Sequence, residues 1–231
     1  MKKVAIFVEG MTEQEFSVRF ITALADNSRL HISLGNQWKG KTQITGTSPE
    51  GSIDLYVLIV DCANDAQVKT QIIDQYSSLV AAGYTAILGL RDVYPQKQTD
   101  IPQIRKYLAL GIPHGSVIPQ MHLAIMEIEA WFLGETTHFA RIHNSLTVPF
   151  IVSKGFDIDS RQCDSWEHPA KVLDDIYQLA SARYATNDGR KTRRRVQRTT
   201  NALSMEELYI KTRREVPALD SFITSIEDAL F

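Results

Sequence analysis

The sequence predicts an α/β fold: a mainly parallel central sheet flanked by helices, with a helical C-terminal extension. Three observations carry this. Lys3–Val8 (KVAIFV), Leu55–Val60 (LYVLIV) and Thr85–Leu90 (TAILGL) are apolar, β-rich runs, as expected of strands buried on both faces. Helical patterns lie between them, which implies βαβ units. After about Phe150 the strand-like runs stop and helical patterns take over. The expected division is therefore an α/β domain over 1–149 and a helical extension over 150–231.

The elements follow in order. Lys3–Val8 is the first strand. Thr12 has the composition of an N-cap, with Glu15 in capping-box spacing. The helix it opens runs to about Ala25, with Phe16, Phe20, Ile21 and Leu24 on one stripe. Leu30–Leu34 alternates and suits a strand nearer an edge. Gly35 to Ser52 is polar and glycine-rich and reads as a loop carrying Lys39 and Lys41. Leu55–Val60 is the second strong strand. Asp65 is placed to cap a helix through Ala82, and Gly83 stops it. Thr85–Leu90 is the third strong strand, ending in Arg91-Asp92. Pro102–Leu110 is a short helix closed by Gly111. Val117–Ile125 contains the fourth strand, with Pro119 disturbing its start. Glu127–Leu133 reads as helix, as do Pro169–Tyr184, Ser204–Arg214 and Pro217–Leu230. Ser204 and Glu207 repeat the capping-box spacing, and Pro217 suits a first helical turn.

Composition narrows the function class. The 231 residues are 44% hydrophobic and carry a net charge of −2, so the chain as a whole has no strong attraction to nucleic acid or membrane. No stretch reaches the roughly 18 apolar residues of a membrane helix. Met1-Lys2-Lys3 leads straight into a short apolar run, which suits a strand better than a signal peptide. Cys62 and Cys163 form no CxxC pair, which points to a reducing cytoplasm. The histidines lack metalloprotease spacing, and no GxxxxGK[ST] loop is present.

The acids are more informative. In a parallel sheet all strand C-termini share one edge, where ligands bind. The first strand ends in Glu9, the second in Asp61, the third in Asp92, and the fourth leads to Glu127 and Glu129. Such acids supply oxygen ligands for Mg²⁺, or Mn²⁺ in its place. Acids after strands also cap helices, and Asp61 and Glu127 fit that role as well. Gly10 behind Glu9 allows close backbone approach to a ligand.

VAIFVEGMTEQEF (Val4–Phe16) resembles the first motif of Toprim domains, as in OLD-family nucleases. AILGLRDVYP and HLAIMEIEAWFLGE resemble a bacterial Toprim-like family of unknown function, and VPALDSFITSIEDALF fits its C-terminal helix. The resemblance implies Mg²⁺-dependent phosphodiester cleavage of nucleic acid. Glu9 would be the general acid or base, and Asp92 the first residue of an Asp-x-Asp metal pair. Tyr94 stands at the second position, a departure from that pattern. Glu129, Glu127 or Asp61 would then complete the site, or the chain is a degenerate module that binds nucleic acid or a partner. The family's context implies an ATPase partner and a role in defence. Separately, RKTRRRVQR (Arg190–Arg198) is either solvated surface or a phosphate-backbone contact through Arg193, Arg194 and Arg195.

Overall fold

The computed structural model describes residues 1–25, 29–38, 41–47, 53–186 and 189–231. They form two compact units: one of residues 1–92, 99–123 and 221–231, the other of 93–98 and 124–220.

The first unit holds the sheet. Its strands are β1 (Lys2–Val8), β2 (Leu30–Trp38), β3 (Lys41–Thr47), β4 (Leu55–Asp61), β5 (Ala86–Asp92) and β6 (Gln120–Ala124), in the order β3-β2-β4-β1-β5-β6. Five strands are parallel, and β3 is the antiparallel exception. Val8 lies opposite Asp61 on one side and Leu90 on the other. In β1, Val4 to Val8 are almost wholly buried, as the unbroken apolar run requires.

From β1, helix α1 (Met11–Ala25) leads to β2. From β4, helix α2 (Asp65–Ala81) crosses in the opposite direction to β5. Right-handed crossovers of opposite direction put the two helices on opposite faces. Val68, Ile72 and Leu79 of α2 pack on Ala5, Phe7, Leu58, Val60 and Ile87. The last helix begins at Pro217, and its final turns belong to the first unit. There Ser225 donates to Gln120 at 2.7 Å and the Phe222 ring meets His122 edge-on.

The second unit is helical: α4 (Glu129–Gly134), α5 (His138–Ile142), α6 (Val148–Ser153), α7 (Pro169–Gln178) and α8 (Arg193–Ala202). Then α9 (Met205–Glu207) runs through a π-helical turn (Leu208–Thr212) into α10 (Arg213–Glu215). The first unit's short helix, α3 (Ile101–Ala109), and the last helix, α11 (Pro217–Leu230), complete the set.

Several expectations are corrected. The expected loop after Leu34 is an antiparallel hairpin of β2 and β3, with a register shift at Leu34/Gly35. Backbone pairing with β4 extends β2 despite its polar sequence, and Lys41 lies in β3. Lys39, Gly40 and residues 48–52 lie outside the described residues. Thr12 is inside α1 and buried, because the helix starts at Met11. Asn64, not Asp65, caps α2 by accepting from the Gln67 amide at 3.2 Å. The helix expected to reach Tyr184 ends at Gln178, where Asp174 captures the amides of Tyr184 at 2.6 Å and Ala185 at 2.9 Å. Those bonds turn the chain back on the helix. Residues 124–149 group with the helical unit by contact. The Glu129 helix is packed into the helical unit by the buried Ala130, Trp131, Phe132 and Leu133. Ser204 caps its helix as expected, accepting from Glu207 at 3.2 Å.

Gly89 tests the α2 packing. A Cβ there would stand 2.6 Å from Met121 Sδ and 2.9 Å from Ile72 Cδ1. Gly89→Ala should therefore destabilise the protein by about 1–3 kcal/mol, by overpacking the β5–α2 contact. The shift of the urea midpoint measures it; an unchanged midpoint would show that Met121 and Ile72 simply move aside.

Candidate active site

Strands β4, β1 and β5 are adjacent and parallel, so Asp61, Glu9 and Asp92 stand along one edge of the sheet. The chain leaves β1 toward one face and β4 toward the other, so the crevice of the reversal opens between Glu9 and Asp61. Glu9 is half-buried, and its Oε2 accepts the Asp92 amide at 3.0 Å. This bond links the tips of β1 and β5 and fixes the Glu9 carboxylate. Asp92 is buried, 7% exposed. Gly10 continues into α1, whose Gln14 amide donates to the Gly10 carbonyl at 3.1 Å.

Asp61 orients the next turn. Its Oδ1 accepts from the amide of Ala63, which has φ 67°. A left-handed alanine costs roughly 1–2 kcal/mol, so the turn is held against its own preference. Beside Asp61 lies Cys62, whose thiol pKa is pushed up by burial and then by the Asp61 charge. The thiol stays protonated and inert.

The sequence reading missed Asn36. It lies at the C-terminal end of β2, opposite Asp61 in register. Its Oδ1 is buried with no hydrogen-bond partner. Placing residues 35–52 in a loop hid it, since only the extension of β2 along β4 brings Asn36 beside Asp61.

Glu127 and Glu129 belong to the second unit. Glu129 is fully buried at the start of α4. Its Oε1 accepts from the Tyr184 hydroxyl at 2.5 Å and from Lys191 Nζ at 2.7 Å, while Oε2 is buried without a partner. Lys191, drawn from the basic run, is thus a counter-ion rather than free surface charge. Glu127 does not cap α4; Ile128 occupies that position. Its Oε2 instead accepts the Ala170 amide at 2.8 Å and so holds the start of α7. Burial, then the Glu129 charge, raises the Glu127 pKa. Glu127 lines a cavity of about 560 Å³ with Tyr94, His168, Asp174, Arg183 and Lys191. Tyr94 is 40% exposed and meets the His168 ring edge-on. Among the described residues, no group of three His, Cys, Asp or Glu side chains is gathered closely enough to hold a metal alone.

The arginine run is helical and mixed in role. Arg193 and Arg194 are exposed on the first turn of α8. Arg195 is half-buried and donates to the Ala185 carbonyl, and Arg198 donates to the Arg183 carbonyl at 2.5 Å. Arg195 therefore secures the 183–185 segment.

Two further buried groups, Glu135 and His138, are structural. Glu135 accepts from the Thr137 amide at 2.9 Å and also from its hydroxyl. It also accepts from Arg141 at 3.2 Å and from the Ser204 amide at 3.1 Å. Burial nevertheless leaves its pKa raised. His138 donates through Nδ1 to the Glu135 carbonyl at 2.5 Å, since a carbonyl can only accept. Burial lowers the His138 pKa to about 4, so the ring is neutral.

Comparison with family models, curated proteins and solved structures returned no match. No helix among the described residues is long and apolar enough to cross a membrane.

Glu127 carries a pH prediction. Its folded pKa is raised above its unfolded value, so folding binds a proton in the window between the two. Stability then falls as pH rises from about 4.5 through the folded pKa. Glu127→Gln keeps an acceptor for Ala170 and removes the repulsion from Glu129. The variant should be more stable than the parent at pH 7, with the gain vanishing below about pH 4.5. Thermal midpoints across pH test this; a variant less stable at pH 7 would mean that the charge is needed.

Proposed function

We propose that the protein hydrolyses phosphodiester bonds of nucleic acid with Mg²⁺ or Mn²⁺ at the edge formed by Glu9, Asp61 and Asp92. The supporting observation is that three acids from distant sequence positions stand at the C-terminal ends of three adjacent parallel strands. The Glu9 carboxylate is also tied to the Asp92 amide there. The donor set suits a hard cation: it is all oxygen, and it includes the unpartnered, buried Asn36 Oδ1. Mg²⁺ commonly takes one or two carboxylates and fills its remaining positions with water and substrate phosphate oxygens. Asp92 and Asp61 would hold the ion, with Glu9 beside them. When bound, it supplies Lewis acidity to the phosphoryl group and lowers the pKa of water.

The chain's own residues do the rest. Glu9 is held by a backbone donor in one orientation, as an acid or base must be for proton transfer with a positioned water. Gly10 presents no side chain next to it, and the Glu13 carboxylate borders that space, 3.4 Å from where a Cβ would stand. Arg193 and Arg194 add long-range attraction for the phosphate backbone.

A second reading has its own observation. Tyr94 occupies the position where the resembled domains carry a second aspartate, and Glu129 already has Lys191 as its counter-ion. In that reading the chain binds nucleic acid or an ATPase partner without cleaving anything.

Glu9→Gln preserves the acceptor for the Asp92 amide and removes the proton-transfer group. Asp92→Asn weakens a hard-cation ligand with little change of shape. Each should reduce Mg²⁺- or Mn²⁺-dependent cleavage of labelled DNA or RNA by about 10²–10⁴ while leaving the thermal midpoint within a few degrees of the parent. Cleavage that survives both substitutions sinks the site. A parent chain that cleaves no strand, alone or with an ATPase, supports the binding module.

A further inference from the structure

The second unit carries a basic surface that the arginine run does not include. Two grooves open on it, of about 490 Å³ and 520 Å³, and Arg214 lines both. The first is also lined by Arg161 and Lys211, the second by Tyr209 and Arg213. Two arginine–aromatic stacks stand here. The Arg161 guanidinium lies 3.9 Å from the centre of the Trp166 ring, and that of Arg213 lies 4.8 Å from the Tyr209 ring. Arg161 is further fixed by bonds to the Ser165 hydroxyl and carbonyl, both 2.8 Å, yet remains exposed.

Only part of this surface's charge is spent within it. Arg213 is paired with Asp220 at 2.7 Å. Lys211 and Arg214 are exposed and make no ion pair or hydrogen bond among the described residues. Asp159 and Glu215 line the first groove and temper its charge without pairing to either cation. The helix that carries Lys211 contains a single π turn over Leu208–Thr212, a feature found often at functional sites. The close approach of Gly134 to Thr212 and Cys163 fixes that turn: a Cβ on Gly134 would lie 2.9 Å from Thr212 Cγ2 and 3.3 Å from Cys163 Sγ.

We propose that this surface grips single-stranded nucleic acid, with Lys211 and Arg214 on phosphates and with Arg161 on Trp166 and Tyr209 under Arg213 as stacking platforms. Flat groups interleaved with unpaired cations are the chemistry of strand binding, since every base offers a π face and every linkage a charge. A duplex hides its base faces and uses only half of such a surface. The proposal deepens the phosphodiester reading by naming the form of the substrate, but the binding it describes needs no catalysis.

The experiment measures affinity of the full chain for labelled single-stranded DNA, single-stranded RNA and duplex DNA by fluorescence anisotropy, without divalent metal, over a range of salt. Lys211→Ala with Arg214→Ala should flatten the slope of log affinity against log salt by about 1.4, roughly 0.7 for each phosphate lost. Tyr209→Ala should weaken single-strand binding about tenfold, and Tyr209→Phe should restore it. Both cations are exposed, so the double variant should fold, which its thermal midpoint checks. Preference between the DNA and RNA strands identifies the sugar that the surface accepts. An unchanged slope in the double variant, or duplex bound as tightly as single strand, overturns the proposal. Strand binding with the expected slope change but no metal-dependent cleavage defeats the catalytic reading and leaves this one standing. Cleavage with an unchanged slope does the reverse.

Discussion

Strands buried on both faces have only their ends for polar side chains. That constraint governs the first unit. In β1 the residues from Val4 to Val8 are sealed off, and so are most of β4 and β5. A carboxylate within any of these runs would be desolvated without a partner, at a cost of several kcal/mol. The parallel arrangement then puts every C-terminal end on the same side. Apolar sequence and parallel topology together therefore bring Asp61, Glu9 and Asp92 to one edge, although they are far apart in the chain. No single motif could do this.

The second unit shows what happens to acids without such an exit. Glu135, Asp174 and Glu129 are all buried. Each is surrounded by donors from segments that would otherwise diverge. Glu135 ties the start of α5 to the start of α9, and Asp174 folds residues 183–185 back onto α7. Hydrogen bonds to charged groups contribute about 1.5–3 kcal/mol each, which offsets much of the desolvation. Glu129 differs, because its donors are side chains on one oxygen while the other has none. The sequence cannot distinguish these fates. An acid's role here depends on which amides and cations fold back toward it, and those come from 2 to 69 residues away.

This explains what was legible in the sequence. The strong strands and their order of appearance could be read because an unbroken apolar run leaves little choice but a doubly buried strand. Their terminal acids followed by position alone. The β2–β3 hairpin could not be read, since its polar residues are held by backbone pairing of β2 with β4 and of β3 with β2 rather than by an apolar run. Asn36 was lost with it. The internal partners of the basic run were illegible for a different reason. Charge density says nothing about partners, and Lys191, Arg195 and Arg198 face an internal carboxylate and two carbonyls.

The arginines most useful to a ligand are therefore not those in the densest run. A cation close to many others in sequence is readily recruited to satisfy the chain's own acceptors, as the loop at 183–185 shows. Arg214 and Lys211 are isolated from buried acceptors by the exposed side of their helix, and Arg161 is held flat against Trp166 without losing its exposure. What sets the proposed binding surface apart is that Lys211 and Arg214 make no ion pair among the described residues, while Arg161 and Arg213 rest on aromatic rings. The same criterion separates the acids. Glu135 and Asp174 are saturated by donors that hold the fold, whereas the Asn36 oxygen at the sheet edge is buried with nothing to accept from. Unmet hydrogen-bonding capacity beside charged strand ends is what a ligand at that edge would satisfy.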